Sequence, residues 1–296
     1  MRVVIGGASG FLGAPLVSAL RDAGHDVTRL VRGDAADADA SPWDPAAGEV
    51  DEALIADADV VVNLSGAPIS QWPRTGRRAE EILRSRLGAT TTLARAVAHA
   101  PTPPAFLSGS GMSWYGVDRG ARVLTEEDGP GDGFLAEVSQ AWETATTPAV
   151  EAGARVVYLR TSMVLDASGG ALKLMKVPFS FGFGARLGSG RQYFSCISRR
   201  DWVQAVCFAA EHDEISGPLN LAAPNPPTNA EFTRALARAL GRPAALTAPS
   251  FAIRAALGGI AEDLLGSLRL EPRRLTESGF SFADRDVDAI LATALA

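Results

Sequence analysis

Several residue types are scarce in this chain of 296 residues, and each scarcity excludes a class of protein. Two cysteines, Cys196 and Cys207, are too few for the disulfide framework of a small secreted scaffold. The three histidines stand far apart and have no companion at metal-ligand spacing, so we expect no metal site. No apolar run approaches the roughly 20 residues that a membrane helix requires, so we expect no membrane insertion.

Basic residues are also in the minority, with 28 Lys and Arg against 34 Asp and Glu and a net charge of −6. We therefore expect no nucleic-acid partner, because backbone phosphates require a basic face. The chain opens on a predicted strand and not on a leader peptide, which together with the few cysteines predicts a cytoplasmic protein. The expected partner is a small-molecule substrate.

The most informative stretch is the amino terminus, where a β-branched strand at residues 3–5 leads into a glycine turn and then a helix. Gly7, Gly10 and Gly13 follow the spacing of a dinucleotide-binding turn, in which glycine permits the turn, the approach of a diphosphate and close helix packing. The diphosphate is expected at the amino end of the helix that begins near Phe11. The residues predicted to bind it are Gly7, Ala8, Ser9, Gly10, Phe11, Leu12 and Gly13. The alternative is an ordinary glycine-rich turn without a ligand.

The end of the second predicted strand, residues 27–31, bears on which dinucleotide is bound. An NAD site normally has Asp or Glu there for the ribose 2′-hydroxyl, whereas an arginine accommodates the 2′-phosphate of NADP. Arg32 occupies this place, so we expect NADP(H). Arg29 either assists or points away from the site. Two alternatives stay open: Arg32 is only a solvated cation, or a shift of register lets Asp34 restore an NAD site.

Strand and helix patterns alternate through the first half of the chain, which predicts an α/β fold with a doubly wound parallel sheet. Glycines and aromatic residues from 169 to 193 predict an irregular lid instead of another helix. Thr228 and Glu231 have the spacing of a capping box. Further strands are predicted at residues 59–64, 105–108, 155–159 and 217–222, and helices at 77–99, 134–152, 201–210 and 249–265.

Several segments together resemble one family, the atypical extended short-chain dehydrogenases described as epimerase-family or nucleoside-diphosphate-sugar-epimerase-like proteins, which carry a C-terminal domain of unknown function. The matching segments are residues 6–13, 43–45, 63–69, 85–86, 108–116, 142–143, 188–193 and 223–229. The resemblance implies a Rossmann domain with a smaller C-terminal substrate domain, and NADP(H) as cofactor. We assign residues 1–165, completed by 196–222, to the NADP-binding domain, and residues 166–195 and 223–296 to the substrate or lid domain.

The resemblance also implies a set of cofactor contacts. The loop of Asn63, Leu64, Ser65 and Gly66 resembles the one that packs along the cofactor's ribose. Asp44 resembles the aspartate that accepts from the adenine amino group, a role that suits an acceptor-only carboxylate; the alternative is an Asp-Pro turn. The preceding tryptophan either stacks on adenine or belongs to the core.

One family feature is missing. Short-chain dehydrogenases usually transfer a proton through a Tyr-x-x-x-Lys pair on one helix face, and here Leu135 and Ser139 occupy those places. Tyr115, with Ser110 to orient a carbonyl, is the replacement we favour for catalysis, the alternative being that Tyr115 is only a packed aromatic side chain. The two lysines of the chain, at 173 and 176, are weaker candidates.

Arginines mark a candidate substrate site, because their planar forks match phosphate groups. Arg191 and Arg199 lie where extended relatives grip a substrate phosphate, unless they are salt-bridged or solvated. The sequence favours an NADP(H)-dependent oxidoreductase that acts on an unidentified carbonyl or alcohol. A non-catalytic NADP(H)-binding scaffold or redox sensor and a sugar-nucleotide epimerase or dehydratase are the alternatives. A homodimer through helices 77–99 and 134–152 is a further expectation, unless these helices only cover the sheet.

Overall fold

The computed structural model describes residues 1–35, 37–69, 76–258 and 260–296. Contacts divide the chain into two compact units. The first, here called the sheet unit, comprises residues 1–111, 137–160 and 203–219. The second, here called the C-terminal unit, comprises residues 112–136, 161–202 and 220–296.

Strands and helices alternate along the chain in the following order. The sheet unit begins with β1 (Arg2–Gly6), α1 (Gly13–Asp22), β2 (Asp26–Val31), β3 (Ala40–Pro42), α2 (Glu52–Ala56), β4 (Val60–Asn63), α3 (Arg77–His99) and β5 (Ala105–Gly111). There follow β6 (Val123–Leu124), α4 (Phe134–Thr144), α5 (Thr147–Glu151), β7 (Val156–Thr161), β8 (Met163–Asp166), α6 (Gly170–Ser180), β9 (Ala185–Leu187), β10 (Cys196–Ser198), α7 (Arg199–Glu211) and β11 (Gly217–Leu221). The chain ends with α8 (Asn229–Ala239), β12 (Leu246–Ala248), α9 (Ser250–Leu257), α10 (Ile260–Leu265), β13 (Arg269–Leu270), α11 (Arg273–Glu277) and α12 (Val287–Leu295).

A seven-stranded sheet has the order β3-β2-β1-β4-β5-β7-β11. β1 pairs in parallel with β2 and β4, β2 with β3, and β4 with β5. The chain runs outward from β1 to β3 and then returns to begin the other half at β4. This reversal makes the carboxyl ends of β1 and β4 a topological switch point, where α/β sheets of this kind bind ligands. The predicted fold class, a Rossmann-type α/β fold, is confirmed.

Inner strands of the sheet such as β1 and β4 are buried on both faces, as expected of parallel strands covered by helices. Val61 and Phe106 in neighbouring strands pack against Leu93, Ala94 and Val97, which form the buried stripe of α3. Burying each large side chain of this kind contributes about 1.5–3 kcal/mol. The predicted helix 77–99 and the predicted strand before it, observed as β4, are confirmed.

The expected domain boundaries differ from the observed units. Residues 112–136, 161–165, 196–202 and 220–222, which we assigned to the NADP-binding domain, belong to the C-terminal unit. The reason is local packing. β6 pairs with β13, and Tyr115 and Leu124 are buried with Leu268 and Leu270 in one apolar cluster.

Three predicted elements are wrong in extent. The predicted helix 134–152 is two helices, α4 and α5, because Pro148 stands in the first turn of α5 and Thr146 donates its hydroxyl to the Glu143 carbonyl at 2.7 Å. The predicted helix 249–265 is divided into α9 and α10, and α9 ends before Gly258, whose φ is +54°. The predicted strand 105–108 continues to Gly111, so Ser110 lies on β5 and not in the following loop.

The lid is also more regular than predicted, because α6 occupies much of the glycine-rich segment. Leu172 and Phe179 lie two turns apart on this helix and are buried with Phe232 and Leu236 of α8. The spacing of the apolar residues therefore favours a helix here, in spite of the flanking glycines.

The C-terminal unit is built from two-stranded parallel pairs, β8 with β10, β9 with β12 and β6 with β13, and from helices that pack on them. The predicted capping box at the start of α8 is confirmed. In the described ranges no helix combines the length and apolarity needed to cross a bilayer. The same part of the chain contains no group of three or more His, Cys, Asp or Glu side chains that is placed to hold a metal ion.

Candidate dinucleotide-binding site

The glycine turn lies at the switch point of the sheet. Gly6 and Asn63 end β1 and β4 and are register neighbours. Gly7 has a φ of +80°, and a Cβ on it would come within 2.7 Å of the Leu64 carbonyl carbon. A Cβ on Gly13 would come within 2.2 Å of the Gly7 carbonyl oxygen. These two glycines are therefore required by close packing of the protein's own backbone.

Gly10 differs from its two neighbours in the motif because it is exposed. A Cβ on Gly10 would meet only the Gly7 carbonyl oxygen, at 3.3 Å, so packing alone gives little reason for glycine here. Leu12 precedes α1, and no described side chain caps the amino end of this helix. Unsatisfied N–H groups and the positive end of the helix dipole thus remain for an anion. Of the other predicted contacts, Ala8 is buried, Ser9 is exposed and Phe11 is half-buried.

The loop after β4 is held rigidly beside this turn. Asn63 is fully buried, donates Nδ2 to Thr90 Oγ1 at 2.9 Å and accepts the Ser65 N–H at 3.1 Å. The Ala67 N–H donates to Ser85 Oγ at 2.9 Å. These bonds fix the predicted ribose loop of Asn63, Leu64, Ser65 and Gly66 on α3.

Ser65 carries an unsatisfied polar atom. Its Oγ is buried and has no hydrogen-bond partner in the described chain, and it lies 3.0 Å from the position of a Cβ on Gly6. A buried hydroxyl without a partner costs free energy unless a ligand or water satisfies it. The residues present at the switch point therefore fit a dinucleotide that has phosphate and ribose oxygens.

Arg29, within β2, and Arg32, directly after it, have different surroundings. Arg29 donates to Asp37 at 2.7 Å and to Asp39 at 2.7 Å. Hydrogen bonds from Arg29 and Arg21 lower the pKa of Asp39 to about 2. Arg32 is exposed and forms no ion pair with any described carboxylate. Of the two, only Arg32 remains available for a ligand anion.

Trp43 and Asp44, the candidate adenine contacts, have separate positions. Trp43 is buried in the core cluster of the sheet, so core packing describes it better than adenine stacking. Asp44 is exposed, and its Oδ1 accepts the N–H groups of Ala46 at 2.8 Å and Ala47 at 3.2 Å. The turn occupies only one carboxylate oxygen, so Oδ2 can still accept from an amino group.

Ser110 belongs to a buried polar cluster at the end of β5. Its hydroxyl donates to Glu143 Oε1 at 2.7 Å. Arg160 grips the same carboxylate with Nε and Nη2, both at 2.9 Å. Because the Ser110 hydroxyl donates its hydrogen bond to a carboxylate, its oxygen can only accept a hydrogen bond from any further group.

Tyr115 is fully buried in the C-terminal unit, and its hydroxyl donates to Asn220 Oδ1 at 2.7 Å. Asn220 also donates Nδ2 to the Glu271 carbonyl at 3.0 Å, so it joins several segments of this unit. This geometry favours the alternative that Tyr115 is a packed aromatic side chain over the role of proton donor.

The remaining candidates do not supply the missing pair. Leu135 and Ser139, which occupy the places of the family's Tyr and Lys, lie one turn apart on α4. Arg199 forms an ion pair with Asp166 at 2.9 Å and donates to Ser168 Oγ at 2.8 Å, which agrees with the salt-bridged alternative. Arg191 is exposed and forms no ion pair with a described carboxylate.

Arg86 was missed as a site residue by sequence reasoning. It is buried on α3, and its Nη1 donates to the carbonyls of Ala67 at 3.1 Å and Ile82 at 3.0 Å. Its position was a signal, because Arg86 lies four residues after Ile82 and seven before Leu93, within the apolar stripe of the helix.

Comparison with known proteins decides the family. Residues 3–176 match the model of the NAD dependent epimerase/dehydratase family, and residues 248–294 match a domain of unknown function, DUF1731. The chain belongs to the NAD-dependent epimerase/dehydratase family. The expected resemblance is thereby confirmed, and with it the C-terminal domain of unknown function.

Similar members of the epimerase/dehydratase family span the whole chain. An epimerase family protein of Mycobacterium leprae is 45% identical over 293 residues, which cover 99% of this chain and 95% of that protein. The crystal structure of the human epimerase family protein SDR39U1 (isoform 2) with NADPH is 33% identical, has a TM-score of 0.89 and is matched over 99% of both chains. A nucleoside-diphosphate sugar epimerase from Corynebacterium glutamicum is 35% identical with a TM-score of 0.83, and the match covers 100% of this chain and 58% of that one.

Proposed function

We propose that this chain is an NADP(H)-dependent oxidoreductase of the extended short-chain dehydrogenase type, which acts on a carbonyl or alcohol. The observation that carries the proposal is the exposed Arg32 after β2, which pairs with no described carboxylate, while Arg29 is committed to Asp37 and Asp39. An exposed arginine at this place suits a 2′-phosphate. The NADPH in the human relative's structure supports the same cofactor.

The proposed binding roles follow from the geometry of the sheet unit. The N–H groups between Gly7 and Gly13 bind the diphosphate, Arg32 binds the 2′-phosphate, and Asp44 Oδ2 accepts from the adenine amino group. Ser65 donates its unpartnered hydroxyl to a ribose or phosphate oxygen. When bound, NADP(H) supplies the hydride chemistry, and the protein supplies orientation and electrostatics.

Ser110 is the proposed orienting residue for the substrate. Its proton is held by Glu143, so its oxygen accepts a hydrogen bond from a substrate hydroxyl. Arg160 holds the Glu143 carboxylate in place through two hydrogen bonds, which orients the serine in turn. The exposed Arg191 is the proposed contact for an anionic substrate group.

A non-catalytic NADP(H)-binding scaffold or redox sensor is the second candidate. It is favoured by Leu135 and Ser139, which stand where the Tyr and Lys of active relatives would be, and by the commitment of the Tyr115 hydroxyl to Asn220. The same absence counts more strongly against a sugar-nucleotide epimerase or dehydratase, because epimerisation needs two proton transfers on one bound sugar.

Two measurements on the wild-type protein test the proposal. Calorimetric titration with NADPH and NADH is expected to give tighter binding of NADPH, and no heat with either would refute the cofactor assignment. The NADP⁺-loaded protein is then mixed with a panel of alcohols while the rise of NADPH absorbance is followed. Oxidation that Ser110→Ala abolishes supports the oxidoreductase, whereas tight binding without turnover across the panel favours the scaffold.

A further inference from the structure

Arg86 is a buried cation without an anionic partner among the described residues. It is 9% exposed, and no carboxylate of the described chain lies within 4.0 Å of its guanidinium. The groups that its guanidinium contacts are neutral: the carbonyls of Ala67 and Ile82, and the Trp142 ring, whose centroid is 4.9 Å from Cζ. Burial, with a smaller repulsion from Arg78, lowers the pKa of Arg86 to about 10, so the side chain is still charged at neutral pH.

This isolation is unusual for the molecule. The other deeply buried arginine of the sheet unit, Arg160, is neutralised by Glu143 through two hydrogen bonds of 2.9 Å. A buried charge is destabilising unless a partner of opposite sign or a full set of hydrogen bonds compensates it. Carbonyl oxygens and an aromatic face compensate Arg86 only in part, because neither carries a full negative charge.

Arg86 also lies directly beside the proposed ribose loop. A Cβ on Gly66 would come within 3.2 Å of the guanidinium carbon, so glycine is what lets the loop approach the cation. The residue before it, Ser65, has the buried hydroxyl without a partner. A cation without a described counter-charge and a hydroxyl without a described partner therefore flank Gly66 next to the glycine turn. One anionic ligand placed there would compensate the first and accept from the second.

We propose that Arg86 is a phosphate-binding residue of the dinucleotide site, and that the diphosphate of the bound coenzyme is the anion that its guanidinium lacks. The proposal rests on the proposed dinucleotide function and adds to it a cation inside the sheet unit, separate from Arg32 at the end of β2. Trp142 holds the guanidinium from its flat face, and Trp142 Nε1 is itself fixed on Thr90 Oγ1 at 2.8 Å. Asn63 binds the same oxygen, so the cation and the loop share one support.

The test uses three variants of the full chain. Arg86→Met removes the charge and keeps most of the volume, Arg86→Lys keeps a charge without the planar fork, and Arg95→Met is the matched control. Arg95 is exposed on the same helix and forms no ion pair with a described residue. NADPH and inorganic pyrophosphate are titrated into each protein, and melting temperatures are measured with and without ligand at constant ionic strength.

Arg86→Met is expected to weaken the binding of NADPH and of pyrophosphate about tenfold or more, which is the usual effect of losing one charge-assisted hydrogen bond. Arg86→Lys recovers part of this loss, and Arg95→Met binds as the wild type does. The ligand-free melting temperature of Arg86→Met changes little, because the relieved desolvation offsets the lost carbonyl contacts. A purely structural arginine would give the opposite pattern, a lower ligand-free melting temperature with unchanged affinities.

The two proposals fail separately. Equal NADPH affinity in wild type and Arg86→Met would overturn the role of Arg86 and leave the cofactor assignment intact. Pyrophosphate binding that depends on Arg86, without any NADPH binding, would preserve the phosphate-binding residue and refute the dinucleotide. If neither ligand binds the wild-type protein, both proposals are refuted.

Discussion

Two arginines close together in the sequence differ in whether neighbouring carboxylates already bind their guanidinium groups. Arg29 and Arg32 are three residues apart, yet Arg29 is bound to two aspartates and Arg32 to none of the described carboxylates. The sequence placed both near the end of β2 but did not disclose this difference, because the aspartates belong to the loop that follows. The structure thus selects one of two candidates that the strand pattern left open.

Arg32→Asp should shift preference from NADP(H) toward NAD(H). The substitution removes a charge-assisted contact to the 2′-phosphate, which is worth about 1.5–3 kcal/mol, and supplies an acceptor for the 2′-hydroxyl. The ratio of the NADPH and NADH dissociation constants is the measurement, with Arg95→Asp as control for a change of net charge. An unchanged ratio would show that Arg32 does not contact the phosphate.

Tyr115→Phe should destabilise the protein without weakening NADPH binding. It leaves the buried Asn220 Oδ1 without its donor, which costs about 1–3 kcal/mol. Thermal unfolding measures the loss. Tyr193→Phe is the control, because its hydroxyl makes no hydrogen bond with a described residue. If turnover is found and Tyr115→Phe abolishes it at unchanged stability, the proton-donor alternative is restored.

Elements were predictable where local signals agreed. The helix 77–99 has the predicted bounds, since the proline-rich segment after Ala100 ends it. The break between α4 and α5 was missed, because Thr146 and Pro148 interrupt a pattern that is otherwise apolar and helical. α6 was missed for the opposite reason: glycines at both ends concealed an apolar stripe that begins at Leu172.

The start of α8 permits a prediction at this scale. Thr228 Oγ1 accepts the Glu231 N–H at 3.3 Å, and the Glu231 carboxylate accepts the Thr228 N–H at 2.7 Å. Thr228→Ala should lower the free energy of unfolding by about 1 kcal/mol, within the usual range for a cap. Glu231→Ala and the double variant complete a cycle that measures the coupling between the two residues.

The capping box should also depend on pH. Hydrogen bonds from the Thr228 N–H and hydroxyl lower the pKa of Glu231 below its ordinary 4.5. The stabilisation is therefore present above pH 4.5 and is lost as pH falls through the lower, folded-state pKa. The difference in melting temperature between wild type and Thr228→Ala should shrink in acid. A difference that stays constant would exclude the carboxylate from the cap.

For the molecule as a whole, the sheet class was within reach of the sequence, while the division into units was not. The alternation of strands and helices suffices for a doubly wound sheet, because inner strands such as β1 and β4 are apolar runs buried on both faces. The segment around Tyr115 belongs to the C-terminal unit, where β6 pairs with β13, and each of these strands has two residues. A strand of two residues is too short to show an alternation of apolar and polar side chains, so this pairing was not predictable. For the site, the motif glycines could be read directly, whereas the isolation of Arg86 depends on which carboxylates are absent around it.

The buried carboxyl group of Glu126 should make the stability of the C-terminal unit depend on pH. Burial raises the pKa of Glu126 above its ordinary 4.5, although its Oε1 accepts the N–H groups of Asn220 at 3.1 Å and Arg274 at 3.3 Å. Its stabilising contribution is complete below pH 4.5 and is lost as pH rises through the folded-state pKa. Glu126→Gln keeps the acceptor and removes the titration.

Glu126→Gln should therefore gain stability relative to the wild type as pH rises from about 4 to about 8. Melting temperatures across this range measure the gain. Glu127→Gln is the neighbouring control for the loss of one carboxylate, since the Glu127 side chain is 77% exposed. Parallel curves for wild type and Glu126→Gln would contradict the raised pKa.

The sheet unit is discontinuous in sequence, and this affects its synthesis. When β5 has left the ribosome, β7 is still about 45 residues from emerging, and β11 follows later still. At about 5–20 residues per second, the nascent sheet spends several seconds with β5 as a bare edge of unpaired N–H and C=O groups. That interval is when the newborn chain is most exposed to aggregation, and a chaperone that covers the β5 edge would protect it.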